Sequence, residues 1–297
     1  MKALCLCLLW LLLGCDKPLR AGELRIASFN VRILSTGSRD GAELEQIADR
    51  LQQFEVLAIQ EVRDEEVIGR LLAILEGRGL PYRALISAAV GRTSATERYA
   101  FLWRADKVEL IGTDSFYPDS ADVFIREPFM ASFRAGEFDF ALVTIHTIFG
   151  NMIGQRRAEA GYLDEVYAWA QEADPDEQDV ILLGDFNLPA EDPGFDELRL
   201  ILLPLFSGQD QTTIADNALD NIWIEVRHTI EWNGEVGIDR FDETIFGGDD
   251  QAASLAVSDH RPIWAMFSVD GPDDDGFGEP TAAEGVSWGG IKAGVGR

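Results

Sequence analysis

Cysteine is almost missing from this 297-residue chain: Cys5, Cys7 and Cys15 are the only three, and all lie at its start. Everything after residue 15 therefore lacks a thiol, which excludes an internal disulfide and a thiolate metal site and leaves stability to the core. Cations are scarce too. Against 52 Asp and Glu stand 25 Lys and Arg, a formal net charge of −27, which excludes a broad sequence-independent grip on a polyanion through surface charge alone. Work on a polyanion would need a divalent cation to supply positive charge locally. Histidine is confined to His146, His228 and His260, so acid–base chemistry at neutral pH has few candidates. No internal repeat is present.

An uncharged apolar run, Ala3 to Gly14 after Met1-Lys2, is short for a bilayer span and has the length of a secretory h-region. It ends in Leu-Leu-Gly-Cys, which resembles a bacterial lipobox. Residues 1–15 are read as a lipoprotein signal peptide with lipidated Cys15, and 16–23 as a linker; an ordinary signal peptide with an incidental cysteine is the plainer alternative. Residues 270–297 are rich in Gly, Asp, Pro and Glu without apolar period and read as an acidic, disordered tail. The whole chain is 46% apolar and 26% charged, and its length suffices for one large domain or two small ones with a well-buried core; 24–269 is read as one domain.

Within 24–269, apolar runs with strand character alternate with helical periodicity. Strands are expected at 24–30, 56–60, 82–87, 100–104, 107–111, 129–133, 138–146, 180–184, 221–226 and 263–269. Helices are expected at 42–54, 65–75, 152–170 and 195–203. This mixed order predicts an α/β (α+β) fold: a four-layer α/β/β/α sandwich of two mixed β-sheets packed face to face with helices outside. Periodicity by itself fits a doubly wound sheet nearly as well. The polar residues decide: Asn30, Glu61, His146, Asp185 and Asn187 each stand at or just past a strand end, and strand ends on one rim are where a shared site is built.

Those residue types suit phosphoester hydrolysis, which needs an activated water, neutralised phosphate charge and a stabilised leaving oxygen. Glu61, ending Val-Leu-Ala-Ile-Gln-Glu, and Asn30, ending Ile-Ala-Ser-Phe-Asn, offer hard oxygen atoms that suit magnesium, manganese or calcium. In Gly-Asp-Phe-Asn, Asp185 and Asn187 alternate along extended chain and face a common point. His146 closes one strand, and His260 follows Asp259 before the last. Two strand-end histidines make an acid and base pair, each wanting a carboxylate to fix its tautomer, with Glu97 and Asp220 as candidates. Taken singly, each has a structural alternative: Glu61 as a helix cap, Asn30 as a turn residue, Gly-Asp-Phe-Asn as a plain turn. His228 lies in no motif and reads as structural.

The ordered set SFN, QEVRD, GRTSATERYAFLWR, FIREPF, TIH, GDFN, LDNIW and SDHRP resembles the endonuclease/exonuclease/phosphatase superfamily, and within it the deoxyribonuclease I family, over roughly Leu24 to Val269. GDFN and SDH are common to the superfamily; QEVRD, ERY and REP point to the deoxyribonuclease branch. The resemblance implies a metal-dependent endonuclease acting on DNA. It implies Glu61 as cation ligand with Asn30 beside it, Asp259 helping to hold a cation, and Glu97–His146 and Asp220–His260 as carboxylate-supported histidines flanking the scissile phosphate. Asp185 and Asn187 would position water and phosphate. The general base stays open between Asp185 and a histidine.

Arg32, Arg63, Arg92, Arg98 and Arg126 fall in or beside these motifs and are candidates for backbone phosphates; pairing with Asp64, Glu97 or Glu127 is the alternative for each. Ala95 stands where the family pattern has a groove-packing tyrosine, so duplex contacts are expected to differ. The expectation is an exported, membrane-anchored lipoprotein on the periplasmic or cell-surface side. It would use Mg2+ or Mn2+, with Ca2+ as a further candidate, and act as a monomer on DNA. A phosphatase or phospholipid phosphodiesterase of the same superfamily is the rival, and an inactive binding module is the third reading.

Overall fold

A computed structural model describes residues 22–92, 96–175 and 177–271. The leader with Cys15, the linker up to residue 21, Ala95 and nearly all of the tail lie outside the described residues. In chain order the elements are β1 (Glu23–Leu34), α1 (Gly41–Leu51), β2 (Val56–Val62), α2 (Glu65–Gly77), β3 (Tyr82–Ile86), β4 (Arg98–Arg104), β5 (Glu109–Phe116), β6 (Phe129–Ala135) and β7 (Phe138–His146). Then follow α3 (Ile153–Ala160), α4 (Leu163–Ala173), β8 (Val180–Asp185), β9 (Leu203–Pro204), β10 (Asp220–Ile224), β11 (Trp232–Ile238), α5 (Phe241–Thr244), α6 (Asp250–Ala256) and β12 (Ile263–Ser268). Among the described residues, no helix is long and apolar enough to cross a membrane.

The strands form two six-stranded sheets, ordered β11-β12-β1-β2-β4-β3 and β5-β6-β7-β8-β10-β9. Both are mixed: β1–β2 and β7–β8 run parallel and their other pairings antiparallel. Side-chain alternation along each strand then sorts residues into layers. Leu24 and Ile26 of β1, Phe101 and Trp103 of β4, Phe138 and Phe140 of β7 and Ile181 and Leu183 of β8 fill the space between the sheets. Ala27 and Phe29 turn the other way, against Leu44, Ile47 and Leu51 of α1 and Leu71 of α2. On the far side, Val143 and Leu182 meet Leu163, Val166 and Tyr167 of α4. The result is the four-layer sandwich that the mixed element order predicts.

Capping residues set the helix starts. Asp40 accepts from the Glu43 amide while Glu43 reaches back to the Asp40 amide, and Asp64 accepts from the Val67 amide. Asp64, not Glu61, therefore caps α2, and Glu61 is left for another role.

The structure departs from the sequence reading at several elements. The helix expected over 152–170 breaks at Gly161 and Tyr162 into α3 and α4; the buried Glu159 carboxylate near the end of α3 accepts from the Ile125 and Ile148 amides, and α4 lays its apolar face on the sheet. The helix expected over 195–203 is two short 3-10 turns followed by β9. The strand β11 is not evident from Trp-Asn-Gly-Glu-Val-Gly-Ile, which lacks alternation. It is a partly exposed edge strand in which Gly237 makes room for the Trp264 indole, 2.4 Å from where a Cβ would sit. Finally, β1 takes in Glu23 and runs on to Leu34, past the Asn30 end that its apolar pattern suggests.

Candidate active site

The alternation that fills the inter-sheet core continues beyond its apolar residues at the site end of each central strand. Asn30 lies in phase with Leu24 and Ile26, His146 with Phe140 and Leu142, Asp185 with Ile181 and Leu183, and Asp220 with Ile222 and Ile224. Register aligns them, with His146 opposite Asp185 and Asp185 opposite Asp220. A buried polar layer underlies the rim: Gln60 donates to Thr144 Oγ1 at 3.0 Å and to Ser28 Oγ at 3.2 Å. Above it opens a cleft of about 290 Å³ lined by Glu61, Arg63, Glu97, Arg126, His146, Phe149, Asp185, Asn187, Leu219, Asp259 and His260.

Each histidine of the cleft has the carboxylate that the sequence suggested. His146 Nδ1 lies 2.6 Å from Glu97 Oε1, and Arg126 Nε 3.1 Å from Glu97 Oε2. Burial opposes a charged Glu97, but His146 and Arg126 outweigh it and hold the carboxyl down to about 2. His260 Nδ1 lies 2.9 and 3.1 Å from the two oxygens of Asp220, whose Oδ2 also accepts from Thr212 Oγ1 at 2.8 Å. Burial raises Asp220, with His260 opposing and Asp185 adding to the rise. Burial likewise disfavours a charged His260, yet Asp220, Asp185 and Asp259 raise the ring to about 10. With both Nδ1 atoms engaged, both Nε2 atoms converge on Asp185 Oδ2, at 3.5 Å from His146 and 3.6 Å from His260.

Asp185 and Asn187 are locked by the turn between them. The Asn187 amide donates to Asp185 Oδ1 at 2.9 Å, and Asn187 Nδ2 donates to Thr147 O at 2.9 Å. Asn187 has φ +52°, a left-handed conformation that asparagine tolerates better than most residues. Glu61 occupies the same region at φ +63°, where a long side chain is uncommon and local strain is a mark of functional placement. Its carboxylate is fixed by the Ile33 amide at 2.9 Å and by Asn30 Nδ2 at 3.3 Å. Asn30 Nδ2 also donates to Asp185 Oδ2 at 3.1 Å, and its Oδ1 accepts from the Arg32 amide at 3.0 Å, so Asn30 bridges Glu61 to Asp185.

The Ser258-Asp259-His260 segment is braced against the same strand. Ser258 Oγ donates to Asn30 O at 2.7 Å and accepts from the His260 amide at 3.1 Å. Buried Arg39 adds a second brace, donating to Val31 O and Arg32 O on β1, to Leu255 O in the last turn of α6 and to Val257 O just after it.

Glu61 and Asp259 both line the cleft with hard carboxylate oxygens, a donor set that fits a divalent cation of the magnesium or manganese type and offers no soft ligand. Asp185, Asp220 and His260 also bring ligand atoms within 4.8 Å of one another, but there the Asp220–His260 bond already engages the imidazole Nδ1.

The arginines divide. Arg63 and Arg126 line the cleft. Arg32 lies at its edge, 3.7 Å from Asp259 and bonded to Ser254 O and Oγ. Arg92 and Arg98 are not brought to the cleft: Arg92 holds Asp122 and Phe124 O, and Arg98 holds Ser87 O and Glu65. Arg98 follows Glu97 on an extended chain, so its side chain leaves from the opposite face. Phe149 and Leu219 line the cleft without having been singled out, because apolar loop residues carry no chemical signal in a sequence. Glu159, Arg39 and Thr212 were also missed; their partners are brought near only by folding.

The endonuclease/exonuclease/phosphatase family model matches residues 27–260. A protein named deoxyribonuclease from Thioalkalivibrio sp. (strain K90mix) is 36% identical over 260 residues, covering 82% of this chain and 71% of that protein. Deoxyribonuclease-1 of Oryctolagus cuniculus is 30% identical over 269 residues, covering 82% and 92%. Among solved structures, ANGEL2, described as a 2',3'-cyclic phosphatase, superposes with a TM-score of 0.57 at 14% identity, covering 84% of this chain and 95% of that one.

Proposed function

The chain belongs to the endonuclease/exonuclease/phosphatase family, and from that premise we propose that it is a divalent-metal-dependent deoxyribonuclease that hydrolyses phosphodiester bonds in DNA. The observation that carries the reading is the convergence of two carboxylate-backed imidazoles, His146 on Glu97 and His260 on Asp220, at Asp185. The two relatives named for deoxyribonuclease activity support DNA as the substrate.

The scissile phosphate would lie between the two Nε2 atoms, with Arg63, Arg126 and the Asn187 Nδ2 hydrogen that Thr147 O does not take toward its oxygens. Glu61 and Asp259 would hold the cation, which when bound supplies positive charge at the phosphate. Asp185 holds the attacking water. One imidazole takes the water proton as the new oxygen–phosphorus bond forms, and the other gives a proton to the leaving oxygen as the old bond breaks. Glu97 and Asp220 keep each ring in one tautomer and balance its charge.

The leader pattern ending in Cys15 supports export and lipid anchoring, so that the enzyme would act on DNA outside the cytoplasm. Incubation with supercoiled plasmid and magnesium tests the central reading: nicking that a chelator stops is expected. Turnover of a phospholipid or sugar phosphate with an intact plasmid would replace it with the phosphatase reading.

A further inference from the structure

Phe149 is the one aromatic among the described residues lining the cleft, and it is 75% exposed. Single exposed apolar side chains are ordinary, but this ring shares the cleft with two guanidinium groups and two imidazoles, where a bound substrate would cover it.

The segment bearing the ring is held from below. The Thr147 amide donates to Asp185 O at 3.0 Å and Thr147 Oγ1 donates to Phe186 O at 2.6 Å. The Ile148 amide donates to Glu159 Oε2 at 2.5 Å, and the other oxygen of that carboxylate accepts from the Ile125 amide at 2.7 Å. Buried Glu159 thus ties the residue before Phe149 to the residue before Arg126. One carboxylate sets the aromatic ring and a phosphate-facing guanidinium at a fixed spacing. After Phe149, Gly150 at φ +137° turns the chain away.

We infer that Phe149 is a substrate-positioning residue that stacks on a nucleobase next to the phosphodiester held in the cleft. The inference rests on the nuclease reading and sharpens it: the preferred substrate is a phosphodiester whose neighbour carries a planar ring with an accessible face. Stacking of this kind tolerates any base, because every base has a π-face, and it adds affinity without reading sequence. A phospholipid or a sugar phosphate offers no such ring. A base in a single strand presents its face more readily than one stacked in a duplex.

The test is steady-state cleavage of a single-stranded oligonucleotide by the wild type and by Phe149→Ala, Phe149→Leu and Phe149→Trp, with magnesium present. Phe149→Ala is expected to raise KM by about tenfold, in the range of one lost base–aromatic stack, and to alter kcat far less. Phe149→Trp should restore the KM, and Phe149→Leu should resemble Phe149→Ala. The exposed position leaves the core packing untouched, and a thermal melt of each variant checks the fold. An unchanged KM in Phe149→Ala, or full rescue by leucine, overturns the inference while leaving the nuclease reading standing. Absence of DNA cleavage by the wild type overturns both.

Discussion

His146 Nδ1 and Glu97 Oε1 are 2.6 Å apart, and both side chains are buried. The pair joins β7 to the segment entering β4, so one contact links the two sheets and fixes which ring nitrogen faces the cleft. Removing the carboxylate charge tests both functions of the contact.

In Glu97→Gln the amide can still meet the ring, but it neither balances an imidazolium nor pairs with Arg126. A fall in kcat of roughly 10²- to 10⁴-fold is expected, with a smaller change in KM. Stability carries an independent signature. The folded carboxyl sits at about 2 against an ordinary value of 4.5, a depressed acid whose stabilisation is present above 4.5 and is lost as pH falls toward 2. Melting temperatures of wild type and Glu97→Gln should therefore differ most near neutrality and approach each other across that window. A constant gap down to pH 2 would contradict the pairing.

Glu61 offers the clearest handle on the cation. Magnesium that binds only the folded protein raises its melting temperature, by an amount equivalent to about 2.7 kcal/mol at a hundred times Kd. Wild type should show this shift and lose it with a chelator. Glu61→Gln should show little shift at the same concentration and need far more magnesium for half-maximal nicking. An undiminished thermal shift in Glu61→Gln would place the cation elsewhere, with the Asp185, Asp220 and His260 cluster as the next location to probe.

Much of this arrangement is legible in the chain itself, for a reason that Asn30, His146 and Asp185 illustrate. Each follows an apolar stretch in phase with its inward residues, at the strand end for His146 and Asp185 and four residues short of it for Asn30, so a period-two pattern and a polar residue suffice to aim it at the inter-sheet rim. Glu97 and Asp220 were paired with their histidines through family resemblance, and the 2.6 and 2.9 Å contacts are present. What the pattern could not supply is direction after a turn. Arg92 and Arg98 sit in the same motif as Glu97 yet engage Asp122, Phe124, Ser87 and Glu65 instead of the cleft. Nor does sequence spacing connect Glu159 with Ile125, 34 positions away, or Arg39 with Val257, 218 away. Such long-range bonds exist only once the layers are packed.

Arg261, the residue after His260, makes the next prediction. It is buried and meets Asp242 through Nε at 2.8 Å and a terminal nitrogen at 2.5 Å, while also donating to Gln211 O at 2.9 Å. Burial raises the Asp242 carboxyl, but the two bonds from Arg261 outweigh it and the net shift is downward. Deleting Asp242 leaves the buried Arg261 only the exposed carboxylates of Glu243 at 3.5 Å and Asp216 at 4.0 Å, at a cost of about 3–5 kcal/mol. Asp242→Ala should thus lower Tm by roughly 6–20 °C for a domain of this size. The double variant Asp242→Leu with Arg261→Met should recover part of that loss, because no buried guanidinium remains without its buried partner. Equal melting temperatures for the single and double variants would show that the pair contributes no coupling.

Gly184 precedes Asp185 at φ +152°, and a Cβ built there would lie 1.9 Å from the carbonyl oxygen of Ile145. That oxygen belongs to β7, immediately before His146, and Ile145 and Gly184 are register partners in the parallel β7–β8 pair. Backbone cannot swing aside as the tip of a flexible side chain can, so Gly184→Ala must push the two strands apart where they deliver His146 and Asp185 to the cleft. The variant is expected either to fail to fold or to fold with cleavage reduced by at least 10², since even a displacement on the order of 1 Å at reacting groups has that effect. The same substitution at Gly79, also left-handed at φ +77° but with open space where the Cβ would point, controls for the backbone penalty alone, which is about 1–2 kcal/mol. Circular dichroism melts and plasmid nicking on both variants separate the two effects. Gly184→Ala with wild-type cleavage would mean that the β7–β8 spacing does not set the distance between His146 and Asp185.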